Sequence, residues 1–139
     1  MQLWFAPHDP RQHRLQIARA PHAPVDTLLE TRSLLLHDLT HFALESHQGW
    51  EHGFYGALAA GLDPADLREG RVSAELWARM LEVEEPVVRL QGAFQRGEED
   101  HPAFPLLRAL VGAWSKTRQG QALALTWPHS EVRVVPAPS

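Results

Sequence analysis

Apolar and polar positions alternate near both ends of the chain and recur at helical spacing through its middle. Residues 2–6 and 14–19 alternate in part, with Leu15 and Ile17 on one face and Arg14, Gln16 and Ala18 on the other. The stretch between them, Pro7-His8-Asp9-Pro10-Arg11-Gln12-His13, is rich in turn formers. At the other end, residues 121–127 put Leu123, Leu125 and Trp127 on one face, and 131–135 follow after Pro128-His129-Ser130. Two terminal hairpins result. Each is marginal alone, so they are expected to share one small antiparallel sheet or lean on a helix.

The middle predicts four or five helices. Thr27 and Glu30 match a capping box, Thr-x-x-Glu, which places a helix over about 28–46, closed before Gly49. A short helix fits 53–60 and ends at Gly61. Asp63-Pro64 reads as an N-cap followed by a first-turn proline, with Gly70 as the stop. Ser73 caps a longer helix that Pro86 should kink or interrupt on the way to Gln95, since proline removes a donor and crowds the preceding turn. Pro102 or Pro105 opens a last helix to about Trp114. Residues 96–101 read as a loop and 136–139 as a frayed tail. The expected fold is α+β: a single domain over residues 1–139, with the sheet packed on the helices.

Composition narrows the function classes. The chain has 139 residues, 44% of them hydrophobic, and a formal net charge of −4. That charge argues against nucleic acid as a partner, because a phosphate-backbone binder would be basic. With Cys at 0, thiolate metal sites and cysteine nucleophiles are excluded. The start of the chain lacks a basic region followed by an apolar core, and no apolar run reaches transmembrane length, so no membrane partner and a cytoplasmic protein are expected.

Of the 9 histidines, His37, His41, His47 and His52 fall close together. On a helical wheel with His37 at zero, His41 falls at about 40°, Glu45 at about 80°, Glu30 at about 20° and Ser33 at about −40°. These positions form one polar stripe opposite Leu28, Leu35, Leu36, Leu39, Phe42 and Ala43. Two imidazoles at i and i+4 on one face can chelate a divalent ion, as in His-Glu-x-x-His zinc sites. Here Asp38 stands where that motif carries its general base. A catalytic site needs a third protein ligand. Glu45 lies roughly 12 Å along the axis from His37 and is better placed to orient His41 than to share the ion. Glu51 and His52 are alternative third ligands. The plainer reading is an amphipathic helix whose polar face happens to hold histidines.

The run Leu36-His37-Asp38-Leu39-Thr40-His41-Phe42-Ala43-Leu44-Glu45, followed by Gly53-Phe54-Tyr55-Gly56-Ala57-Leu58-Ala59-Ala60-Gly61, resembles a family of small uncharacterised bacterial proteins. The resemblance spans about residues 30–61 and implies no activity. The motif is also similar to the His-Asp-x-x-His zinc motif of a ubiquinone-biosynthesis family, which adds a glutamate twelve positions after the second histidine. That position is Gly53 here, so the function is not carried over.

Further residues have two readings each. Arg32 falls at about 220° on the same wheel, toward the apolar side, where it either clamps a substrate carboxylate or phosphate or makes a structural ion pair. Tyr55 either donates a hydrogen bond near the site or packs in the core with its hydroxyl satisfied. Glu75, Glu82, Glu84 and Glu85 read as the solvated face of a core helix, and Glu98, Glu99, Asp100 and His101 as an acidic loop. The leading expectation is a metal-dependent enzyme, hydrolytic, with zinc or another divalent metal on His37 and His41. Asp38 or Glu45 would accept a proton, and Arg32 and Tyr55 would contact a small-molecule substrate. The alternative is a non-enzymatic binding or interaction protein, compatible with a homodimer, whose histidine stripe is structural.

Overall fold

The computed structural model describes residues 1–98, 100–129 and 131–139. Glu99 of the acidic loop and Ser130 of the C-terminal turn lie outside the described residues. The chain runs β1 (Gln2–Pro7), β2 (Gln12–Ala18), β3 (Val25–Glu30), α1 (Thr31–Gln48), α2 (Phe54–Ala59), α3 (Pro64–Glu69), α4 (Ala74–Gln95), α5 (Phe104–Ser115), β4 (Gln121–Thr126) and β5 (Val132–Pro136). The strands form one antiparallel sheet in the order β3-β2-β1-β4-β5, so both terminal hairpins join through β1, as expected of an α+β fold.

Register explains the core. Leu3 pairs with Ile17 on one side and Leu125 on the other, and Phe5 pairs with Leu15 and Leu123. These six side chains share one face and are fully buried beneath the helices. Burying them supplies most of the drive for sheet–helix packing, at about 1.5–3 kcal/mol per large apolar side chain.

The capping box at Thr27 and Glu30 does not form. Residues 25–30 are strand β3, paired with β2 from Ile17↔Val25 to Gln12↔Glu30, and α1 starts at Thr31 with no side-chain cap. The open edge of β2 offers a complete row of backbone partners, which outweighs one capping bond. Leu28, expected on the buried side of a helix, is instead 42% exposed on this edge strand. Pro86 does not interrupt α4 either. The hydrogen bond it forfeits would end on the carbonyl of Glu82, on the exposed side of the helix. The tail is anchored at its start: Pro136 pairs with Gln121, and the Ala137 N–H donates to the Gly120 carbonyl at 2.9 Å.

Other punctuation reads as expected. Gly49 closes α1 with φ 66°, a left-handed conformation glycine adopts without strain. Asp63 accepts from the N–H groups of Ala65 and Asp66, and Ser73 from that of Leu76. Among the described residues, no helix is long and apolar enough to cross a membrane.

The helix α1 sits between the sheet, α4 and α5. Its residues 38–45 are all buried, polar ones included. The stripe carrying His41 and Glu45 is therefore interior. It faces α4, and an ordinary solvated face does not explain it.

Candidate metal centre

The helical repeat sets the site. His37 and His41 stand one turn apart on α1, with ring centroids 4.7 Å apart. Glu84, from the facing helix α4, reaches across and bridges them. Its Oε1 lies 2.8 Å from His37 Nε2, and its Oε2 lies 2.9 Å from His41 Nε2. Ligand atoms of the three residues all fall within 4.8 Å of one another.

The other ring nitrogens are held from behind. His41 Nδ1 is 2.7 Å from Glu45 Oε2, and His37 Nδ1 is 2.9 Å from Gln91 Oε1. Oxygen acceptors on both Nδ1 atoms aim both Nε2 atoms at a common point, the arrangement by which outer partners orient metal-ligating histidines. Glu45 is itself fixed. It is 0% exposed, its Oε2 also accepts from the Phe54 N–H and its Oε1 from the Tyr55 N–H, both at 3.1 Å. It thus ties His41 to the start of α2.

Gly53 makes room for this carboxylate. A Cβ there would stand 2.2 Å from Glu45 Oε1. Gly53→Ala is expected to displace a buried, fully bonded carboxylate and to cost about 1–3 kcal/mol, as overpacking does. The midpoint of urea unfolding measures it; an unchanged midpoint would show that Glu45 is free to move aside.

Electrostatics follow the geometry. Burial pulls the His41 pKa down, but hydrogen bonds to Glu45 and Glu84 more than reverse this and push it up to about 9. The hydrogen bond to Glu84 raises His37 as well. Hydrogen bonds from His37 and His41 hold the Glu84 carboxyl far below the usual carboxylate range. With no ion present, His41 has a carboxylate oxygen on each ring nitrogen and acts as an imidazolium donor between Glu84 and Glu45.

Asp38 shares the same turn of α1 but faces a different partner. Arg68 of α3 holds its carboxylate with two hydrogen bonds of 3.0 and 2.8 Å, and the guanidinium lies over the Phe54 ring at 4.8 Å. Asp38, Arg68, His37, His41 and Glu84 all border one cavity of about 310 Å³.

Four of the expected site residues are thereby brought together: His37 and His41 in the cluster with Glu84, Glu45 behind His41, and Asp38 in the cavity wall. Two are not. Arg32 is exposed and outside the cavity wall: it stands in the first turn of α1, ahead of the buried stretch 38–45, and nothing among the described residues covers it there. Tyr55 is buried, and its hydroxyl donates to the Asp38 carbonyl at 2.8 Å. Burial raises its pKa well above the normal value, so it is a core donor that braces α1. Glu51 and His52 are exposed and away from the cluster.

Glu84, Gln91 and Arg68 escaped the sequence reading. For Glu84 a signal existed. With Glu84 at zero on the α4 wheel, Val83, Val87, Met80, Trp77 and Leu81 surround it between about −100° and 60°, while Glu75, Glu82 and Glu85 fall between about 100° and 180°. One carboxylate of the four therefore sits inside the apolar arc.

Neither a family model, nor a curated protein, nor a solved structure matches this chain.

Proposed function

We propose that His37, His41 and Glu84 hold one divalent, zinc-type ion and that the protein is a metal-dependent enzyme, hydrolytic in its chemistry. The observation that carries this is the convergence of two imidazole nitrogens and one carboxylate, all within 4.8 Å of one another, in the wall of a cavity. Two histidines and a glutamate are a known catalytic zinc set, with the remaining coordination position left to water or substrate.

Charge supports a divalent ion in particular. An ion of charge two, with both histidines uncharged as ligands, balances Glu45 and Glu84 and leaves the interior neutral. When bound, such an ion lowers the pKa of a coordinated water toward ~7 and polarises a carbonyl. The chain's own residues supply the rest. Glu45 fixes the His41 ring through Nδ1. Arg68 takes two of the lone-pair sites of Asp38, which leaves two for accepting a proton at the cavity wall. Glu45 has no such role, since His41 and two backbone N–H groups engage its oxygens and it lies outside the wall.

A second reading has its own observation. The same carboxylate bridge, filled by protons, clamps α1 to α4, and a binding or interaction protein could use it structurally. Calorimetric titration of zinc into chelator-treated protein separates the two. The metal reading expects one site and the release of one to two protons. Because the ion must displace the His41 proton, affinity should rise about tenfold or more per pH unit from 6.5 until it levels near 9. The sign for the metal-free fold is opposite. A folded-state pKa raised above the unfolded value gives stability that is complete below pH 6.5 and is lost as pH rises through about 9. Absence of zinc heat at every pH would leave the clamp reading alone.

A further inference from the structure

The cavity at the metal centre is at the small end of small-molecule sites. Away from the ligands its wall is Leu34, Phe54, Leu67, Trp77, Met80 and Leu81. Two of these are large apolar side chains left in water, Trp77 at 36% and Leu81 at 50% exposure, on the same side of α4 as Glu84. The charged wall groups other than the ligands are Asp38 and Arg68, and they neutralise each other through two hydrogen bonds.

These facts select against charged substrates. Recognition of phosphate or carboxylate calls for an arginine or lysine with free donors. Arg68 is the cationic side chain in the wall; its charge is already matched by Asp38, which takes one N–H from each terminal nitrogen, and its Nε is buried without a partner among the described residues. With a divalent ion in place, Glu84 and Glu45 cancel it, so the pocket has no net charge to offer an anionic body. What remains is one electrophilic centre in the wall of a small, largely apolar cavity.

We infer that the substrate is a small uncharged acyl compound, such as an ester, lactone or amide with a short aliphatic or aromatic body. Its carbonyl end lies toward His37, His41 and Glu84, and its apolar body lies between Leu34 on α1 and Trp77, Met80 and Leu81 on α4. This inference rests on the metal reading above.

Alkyl hydroxamates test it, because they are uncharged acyl compounds in neutral solution and chelate a metal through the carbonyl and N-hydroxyl oxygens, with loss of the hydroxyl proton, whatever the reaction. Cobalt(II) stands in for zinc, since its visible absorption reports both loading and head-group binding. Affinity is expected to rise about fourfold per added CH₂ from acetohydroxamate to hexanohydroxamate. Succinomonohydroxamate, which carries a carboxylate on a body as long as that of butyrohydroxamate, is expected to bind at least tenfold more weakly than it. Leu81→Asp, at a helix position half exposed to water, should weaken hexanohydroxamate at least tenfold and leave acetohydroxamate within about twofold, with an unchanged cobalt spectrum as the check on folding. A normal cobalt spectrum with no chain-length dependence, or with the succinyl compound binding tighter, would overturn the substrate class and leave the metal site standing. Absence of the cobalt spectrum would overturn both.

Discussion

His41→Ala should be the most damaging single change in the chain. The metal-free variant is expected to lose about 3–5 kcal/mol of stability, as when one partner of a buried ion pair is removed. The reason is Glu45, which is fully buried and would keep two backbone N–H donors but lose its cation. His37→Ala should cost far less, because the His37 side chain is 22% exposed and its carboxylate partner Glu84 is 42% exposed and can turn to water. Denaturant unfolding at pH 7 in the presence of a chelator measures both. A His41→Ala variant within 1 kcal/mol of the parent would mean that the buried network carries little of the fold's stability.

The second large effect belongs to the Asp38–Arg68 pair. Asp38→Ala leaves the Arg68 guanidinium without its carboxylate in a mostly buried place. A loss of about 3 kcal/mol is expected, near the low end for a buried pair because Arg68 keeps 20% of its side chain exposed. For a chain of this size that is a fall in Tm of about 10 °C. Adding Arg68→Met should restore part of the loss, since the double variant buries no orphan charge and sets an apolar side chain beside Phe54, where the guanidinium lay. Thermal unfolding of the two single variants and the double variant gives the coupling. Strictly additive losses would show that the two residues act separately.

Local chemistry made much of the fold legible. Alternation around Leu15, Ile17, Leu123 and Leu125 revealed the two hairpins, and Gly49, Asp63-Pro64 and Ser73 marked helix ends through bonds made within a few residues. The failures were non-local. Thr27 and Glu30 offer a cap, but β2 offers a whole ladder, and only the assembled sheet reveals that competitor. In the same way, the wheel of α1 places His37, His41 and Glu45 on one stripe without saying what stands opposite. The third member of the cluster, Glu84, lies 43 residues from His41 and becomes its neighbour only when α1 packs on α4. Its place inside the apolar arc of α4 separated it from Glu82 and Glu85. Arg68 carried no comparable mark; nothing local distinguishes it from Arg71, which pairs at the surface.

The third ligand is also the most discriminating place to test the metal site. Elemental analysis of protein purified without chelators, and of its Glu84→Ala and Glu82→Ala variants, compares two carboxylates on one helix. About one equivalent of a divalent metal is expected in the parent and in Glu82→Ala, and almost none in Glu84→Ala. A metal-free parent, even after zinc is supplied, or equal metal in all three proteins, would contradict the site formed by His37, His41 and Glu84.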